Sequence, residues 1–243
     1  PRHDDSLRAA LTATGIGVLS GKREADNESY ITTSNDETFG NIFYATDHSM
    51  GLVNVRTDAD GVFRSYNTMY VVDSAGGGEQ RIPTLAFAVL NKYFGLPPTT
   101  VPGVEDGYFT YAGRVIPQVD RASMMVNYYG PDGTFPHIRF HDVLDDETLQ
   151  TREESESGEE INTFSDPAFG YLHDGTFKDK IVLVGVTVPE YKDLFPVAIA
   201  RGERKRENMM YGVEIHANAV ENVIRGDFLR MESQAASATT TFV

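Results

Sequence analysis

Cysteine is missing from the 243-residue chain, which removes disulfides, thiolate metal sites and cysteine nucleophiles from consideration. Positive charge is scarce, with 21 basic residues against 36 acidic ones and a net charge of −15. A phosphate backbone needs a surplus of Lys and Arg on some face, so a nucleic-acid partner is not expected. No run of eighteen apolar residues and no signal peptide can be read, so no segment visibly spans or targets a membrane. Also missing are the G-x-S-x-G elbow, the phosphate-binding G-x-x-x-x-G-K-[ST] loop, a G-x-G-x-x-G after a strand and the H-E-x-x-H zinc helix. Common hydrolase, nucleotide-binding and zinc-protease chemistries lose support together.

What is present reads as a globular protein, with 40% hydrophobic and 23% charged residues. Ser6 to Ala13 has helical spacing, and Gly15-Ile-Gly-Val-Leu19 suits a short buried strand. Gly51 to Val55 and Val62 to Val72 flank the turn signal Asp58-Ala-Asp60-Gly61, an arrangement that predicts a hairpin. Pro83 opens an amphipathic helix in which Leu85, Ala86, Val89, Leu90 and Tyr93 share a face before Gly95. Further strands are expected at Tyr108 to Tyr111, Val115-Ile116 and Ser123 to Tyr129. Asp142 has the character of a helix cap. From Asp145 to Glu160 eight acids face Arg152 alone, as in a solvated insertion loop. Lys180-Ile-Val-Leu-Val-Gly185 is the strongest strand signal, a β-branched run suited to a strand covered on both faces. Gly212 to Ile224 predicts a helix with Val213, Ala217, Val220 and Ile224 as its apolar stripe and Gly226 as its stop. Strands and helices mixed without internal repeats predict a single α/β domain with helices packed on a mixed β-sheet.

Few clusters carry chemistry. Aligned on Gly61, a calcium loop would put Arg56 at its first ligand position and Asn67 at its twelfth, so a tight turn is expected there instead. His137 and His141 would share a metal on a helix, but Phe135 to Phe140 alternates like an edge strand, which sets the rings apart with no third ligand. No metal and no cofactor is expected. Near the start of the last helix, Glu214 and Asn218 are four apart and share a polar face, while His216 points elsewhere. The helix dipole alone accounts for a first-turn Glu. With the loop Thr187 to Phe195, however, this helix start forms the kind of crevice in which open α/β sheets bind ligands.

Taken in order, several blocks resemble a known family, the second of the CHASE domains, which are cyclase/histidine-kinase-associated sensory extracellular modules. The blocks are Gly51-Leu-Val-Asn-Val55 with Asp58-x-Asp60-Gly61-Val62-x-Arg64, Asn127-Tyr-Tyr-Gly130 with Phe135, and Phe140 to Leu144. Phe177-Lys-Asp-Lys-Ile-Val-Leu-Val-Gly185 with Asp193-Leu-Phe-Pro196, and Gly212-Val-Glu-Ile-His-Ala-Asn-Ala219, complete the series. The resemblance implies a non-enzymatic extracytoplasmic sensor, periplasmic or at the cell surface, held by flanking transmembrane helices and feeding a cytoplasmic cyclase or kinase. Residues 1–230 would be the sensor, and the tail 231–243 would lead toward the next membrane segment. The long loop Ser20 to Glu37, the acidic insertion and the basic stretch Arg201 to Arg206 depart from the family pattern.

The ligand-binding residues expected on this reading are Asp193, Glu214, His216 and Asn218, with Asn127 and Tyr128 as neighbours and Arg64 pairing with a carboxylate. The stimulus, a small molecule or an environmental signal, is not specified. Two other readings stay open. One is a hydrolase with Glu214 or His216 as general base and Asp193 as its orienting partner, and the other a ligand-free dimerisation module that would form a homodimer.

Overall fold

The computed structural model describes residues 2–22, 49–74, 78–149, 151–158, 162–191, 193–199 and 208–231. Most of the loop Ser20 to Glu37, the basic stretch Arg201 to Arg206 and the tail beyond Met231 lie outside them. Helix α1 (Arg2–Thr14) leads to β1 (Leu19–Gly21), which pairs in parallel with β2 (Met50–Leu52). After a turn come β3 (Ser65–Asn67), β4 (Met69–Ser74) and β5 (Gly78–Pro83), then α2 (Leu85–Tyr93). The meander β6 (Gly103–Val104), β7 (Tyr108–Tyr111) and β8 (Arg114–Pro117) precedes β9 (Ser123–Met125). Short helices α3 (Phe140–Leu144) and α4 (Arg152–Ser157) follow, then β10 (Leu194–Pro196), β11 (Met209–Tyr211) and α5 (Gly212–Arg225).

The α/β class is as expected, but the described strands are divided among five small sheets of two or three strands. Tyr66 of β3 lies opposite Met124 of β9 in an antiparallel pair, and β4 and β5 form a six-residue hairpin. One core joins these pieces. Phe87 and Leu90 of α2, Phe109 and Ile116 of the meander, and Ile215, Ala219 and Val223 of α5 are all buried in it. Removing this apolar surface from water is the main force that holds α5 against α2 and the strands.

Several local expectations change in the structure. Gly15 to Val18 is not a strand, and Ile16 is 78% exposed; pairing begins only at Leu19. Asp58 to Gly61 does form the expected tight turn, with the Gly61 N–H donating to the Asp58 carbonyl at 2.9 Å. Its flanks, however, do not pair with each other, because β2 takes β1 as its partner and β3 takes β9. Tyr93 is exposed at the end of α2. Asp142 sits inside the first turn of α3, whose N-cap is Arg139. The acidic stretch is not wholly solvated: Asp145 and Glu154 are buried, and Thr151 and Glu154 form a reciprocal capping box at the start of α4.

The largest departure is at Lys180 to Gly185. No strand forms there, since no described strand lies alongside to share its backbone hydrogen bonds. The segment instead forms one side of a cleft along α5, lined by Ile181, Val182, Leu183, Gly185 and Thr187, while Val184 is 77% exposed. The expected stripe Val213, Ala217, Val220 and Ile224 is the side of α5 that meets this segment, whereas the deepest side is Ile215, Ala219 and Val223. Gly226 adopts a left-handed conformation with φ of 73° and ends α5 as read from sequence.

Candidate functional site

Helix α5 organises every polar feature near its start. Glu214, Asn218 and Asn222 recur every four residues, so they stack in a row along one side of the helix. All three are buried, and all three serve the backbone of residues 127–135, a stretch that mostly lacks strand or helix partners of its own. The Asn222 amide accepts from the Asn127 N–H and donates to the Asn127 carbonyl, each at 2.8 Å. Asn218 accepts from the Tyr129 N–H at 3.1 Å and donates to the carbonyl of Glu214 at 2.8 Å. The Glu214 carboxylate accepts from the N–H of Gly133 at 3.0 Å to each oxygen, and from that of Phe135 at 3.3 Å. Buried backbone groups need such partners, so the row substitutes for a missing strand ladder.

Glu214 has two further neighbours. The His137 Nε2 lies 3.3 Å from its Oε1, and the Asp132 carboxyl is near enough to act on it electrostatically. Burial pushes the Glu214 carboxyl above its ordinary pKa, and Asp132 pushes it further.

His216 faces the opposite side of the helix from Glu214, two residues on at 3.6 residues per turn. Its Nδ1 lies 2.7 Å from the Tyr66 hydroxyl. That hydroxyl oxygen already accepts from the Ala86 N–H at 3.2 Å. We therefore assign the Tyr66 O–H as donor and Nδ1 as acceptor, the neutral imidazole tautomer with its proton on Nε2. Burial lowers the His216 pKa to about 4, which agrees with a neutral ring.

Asp193 stands beside the first residue of α5. Its carbonyl accepts from the Gly212 N–H at 3.1 Å. A Cβ on Gly212 would sit 2.7 Å from both carboxylate oxygens, so only glycine leaves room. Likewise a Cβ on Gly185 would come within 2.6 Å of Val213. The apolar segment, the Asp193 loop and the start of α5 therefore do meet in space, as their sequence suggested, although the segment forms no strand.

The expected ligand residues divide into separate groups. Glu214, Asn218 and Asn127 belong to the backbone row just described. The Tyr128 hydroxyl turns away from it and donates to the Phe63 carbonyl at 3.1 Å. Arg64 stays within its own turn, paired at 2.7 Å with both Asp58 and Asp60. The hydrolase arrangement required Glu214, His216 and Asp193 to converge, and their contacts point three ways. Sequence reasoning missed Asn222, although it continues the four-residue spacing of Glu214 and Asn218, and missed His137 as the imidazole beside Glu214. His141 pairs with Asp142 at 3.0 Å, so the two histidines part as expected.

A cleft of about 490 Å³ runs along α5. One wall is the stripe Val213, Ala217, Val220 and Ile224, the second is the segment 179–187, and the third is Phe135 to Ile138. Glu214 is at the junction of the first and third walls. Among the described residues no group of three or more His, Asp or Glu side chains could hold a metal, and no helix is long and apolar enough to cross a membrane.

A family model described as the CHASE2 domain matches residues 2–242, essentially the whole chain. The chain belongs to the CHASE2 domain family. CHASE2 domains are sensory extracellular modules found in cyclases and kinases, and they are not catalytic. No curated protein and no solved structure matches this CHASE2 domain.

Proposed function

We propose that this CHASE2 domain is the extracytoplasmic stimulus-receiving part of a membrane-bound signalling protein whose cytoplasmic output is a nucleotide cyclase or a histidine or Ser/Thr kinase. Residues 1–230 are its sensor and 231–243 lead toward the membrane; flanking transmembrane helices are its mechanical partners, and a homodimer suits that arrangement. Membership of a sensory extracellular family over residues 2–242 carries this reading. A sensor needs only a difference in affinity between two conformations, which accords with polar residues committed to holding backbone rather than to chemistry.

The stimulus site we assign is the cleft along α5, an apolar trough of about 490 Å³ with Glu214 at one corner, within the range of small-molecule pockets. The other expected ligand residues Asn218, Asn127, Asp193, His216 and Tyr128 then act behind it by fixing α5 and its neighbours, whereas Arg64 holds the turn of Asp58 and Asp60.

Two measurements on the full-length protein test the reading. An alkaline phosphatase reporter, active only outside the cytoplasm, fused after Met231 should be active in intact bacteria; a silent phosphatase with an active cytoplasmic reporter at the same point would defeat the placement. Ala217→Phe, which fills the cleft, should change cyclase or kinase output while leaving the melting temperature within a few degrees. Unchanged output would remove the cleft from the signalling path.

A further inference from the structure

Residues 181–188 read Ile-Val-Leu-Val-Gly-Val-Thr-Val and have the composition of a strand, yet among the described residues no strand lies beside them. None of the eight has a positive φ, and their backbone N–H groups donate to no backbone carbonyl of a described residue. The stretch is neither helix nor turn, so its backbone is open to a partner. Val182, Val184, Val186 and Val188 are 53%, 77%, 44% and 46% exposed. An exposed apolar edge with unmet backbone groups is a template for a further strand.

We propose that this edge pairs antiparallel with the same edge of a second copy of the chain, about a two-fold axis at Gly185. In that register Val182 lies opposite Val188 and Val184 opposite Val186, so the four exposed valines of each copy meet those of the other. The ends match as well. Lys180, just before the edge, meets Glu190, just after it, once on each side of the axis, and both side chains are exposed. Sliding the partner by two residues sets Lys180 against Val188, or Val182 against Glu190. Sliding it by one puts the valines of one copy on the face where the other carries Leu183, which lines the cleft. Only the register centred on Gly185 pairs the valines with one another and the charges with their opposites.

An edge of this length buries less than the roughly 1,200 Å² of a stable interface, so free copies associate weakly, with a dissociation constant on the order of 100 μM. Two copies anchored side by side in a membrane have an effective concentration of about a millimolar, enough to pair. The same edge is one wall of the cleft, so pairing holds from outside the wall that a bound stimulus touches from inside. The interface stands on the edge alone, and only its link to a stimulus rests on the cleft proposed above. A failed pairing and a failed cleft are therefore separate outcomes.

Charge-reversed chains test the pairing. Sedimentation equilibrium of the 243-residue chain up to about 1 mM should show monomer and dimer together. Lys180→Glu or Glu190→Lys alone sets like charges at both ends and should weaken association by roughly tenfold. An equimolar mixture of the two variants restores opposite charges at both ends and should recover the wild-type constant. Both positions are exposed, so the variants should fold. The chain has no cysteine, which makes the register readable. Val182→Cys mixed with Val188→Cys should give a disulfide-linked dimer on air oxidation, whereas either alone should not, because its two sulfurs lie about 20 Å apart across the axis. A strict monomer at about 1 mM, charge reversals without effect, no recovery in the mixture, or Val182→Cys linking to itself as readily as to Val188→Cys would each overturn the interface. So would amides of residues 182–188 protected from hydrogen exchange in the monomer, which would mean that the chain covers its own edge. Sedimentation of the monomer with phosphatidylcholine vesicles would assign the edge to lipid instead.

Discussion

The side chain of Asn222 pairs with both main-chain groups of Asn127, accepting from its N–H and donating to its carbonyl at 2.8 Å each. One side-chain amide thus supplies what a neighbouring strand would supply. Asn222→Ala should strip both partners and cost about 2 kcal/mol, less than two fully buried losses because Asn127 is only half-buried. Asn222→Asp keeps the acceptor but loses the donor, and it adds a negative charge in the last turn of α5, where the helix dipole disfavours it. It should be no better than alanine. Urea denaturation of the two variants checks the order; an aspartate variant as stable as the wild type would mean that the donor contact contributes nothing.

Local features of the sequence were readable wherever side-chain period and end signals decided the outcome. Helix α5 was legible from its 3.6-residue pattern and from Gly226, and α2 and the strands β7 and β8 from runs bounded by glycine or proline. Long-range pairing was not readable. Nothing local to Gly51-Leu-Val-Asn-Val55 says that β2 will pair with Leu19 to Gly21 rather than fold back on Val62 to Val72. The run at Lys180 to Gly185 has the composition of a strand, but composition supplies no neighbour to bond with. The candidate site divided along the same line. Glu214 and Asn218 on one face followed from their spacing alone, whereas the attachment of Glu214 to Gly133, Phe135 and His137 joins segments 77 to 81 residues apart.

His216 should make the fold acid-sensitive. Its folded pKa of about 4 lies below the ordinary imidazole value of 6.5. The neutral ring therefore contributes stability that is fully present above about pH 6.5 and is lost as pH falls toward 4, on the order of 3 kcal/mol in all. His216→Gln offers Tyr66 an acceptor but cannot titrate. Denaturant midpoints measured at several pH values should fall in the wild type over that window and flatten in the variant. Parallel slopes would show that the acid response lies elsewhere.

Helix α4 depends on Thr151, the cap residue just before it. The Thr151 hydroxyl accepts from the Glu154 N–H while the Glu154 carboxylate accepts from the Thr151 N–H at 2.7 Å. Six residues are too few to form a stable helix unaided. Thr151→Ala removes one half of this box and should cost about 1 kcal/mol, whereas Thr151→Ser should cost less because it keeps the hydroxyl. Thermal melts of the pair decide it, and equal losses would assign the effect to the lost methyl group instead.

Gly212 and Asp193 should be energetically coupled. Alanine is ordinarily the better helix residue, by up to about 1 kcal/mol over glycine. At Gly212 its Cβ would meet both oxygens of the Asp193 carboxylate at 2.7 Å, closer than real contacts allow. The carboxylate would have to leave the helix start, so Gly212→Ala should destabilise the wild type by about 1 kcal/mol or more. In an Asp193→Ala background the obstruction is gone and only the helical preference remains, so the same substitution should become neutral or stabilising. A double-mutant cycle in urea then gives a coupling of at least about 1 kcal/mol. Additive effects would mean that Asp193 moves aside without cost and that the missing side chain at position 212 answers to some other constraint.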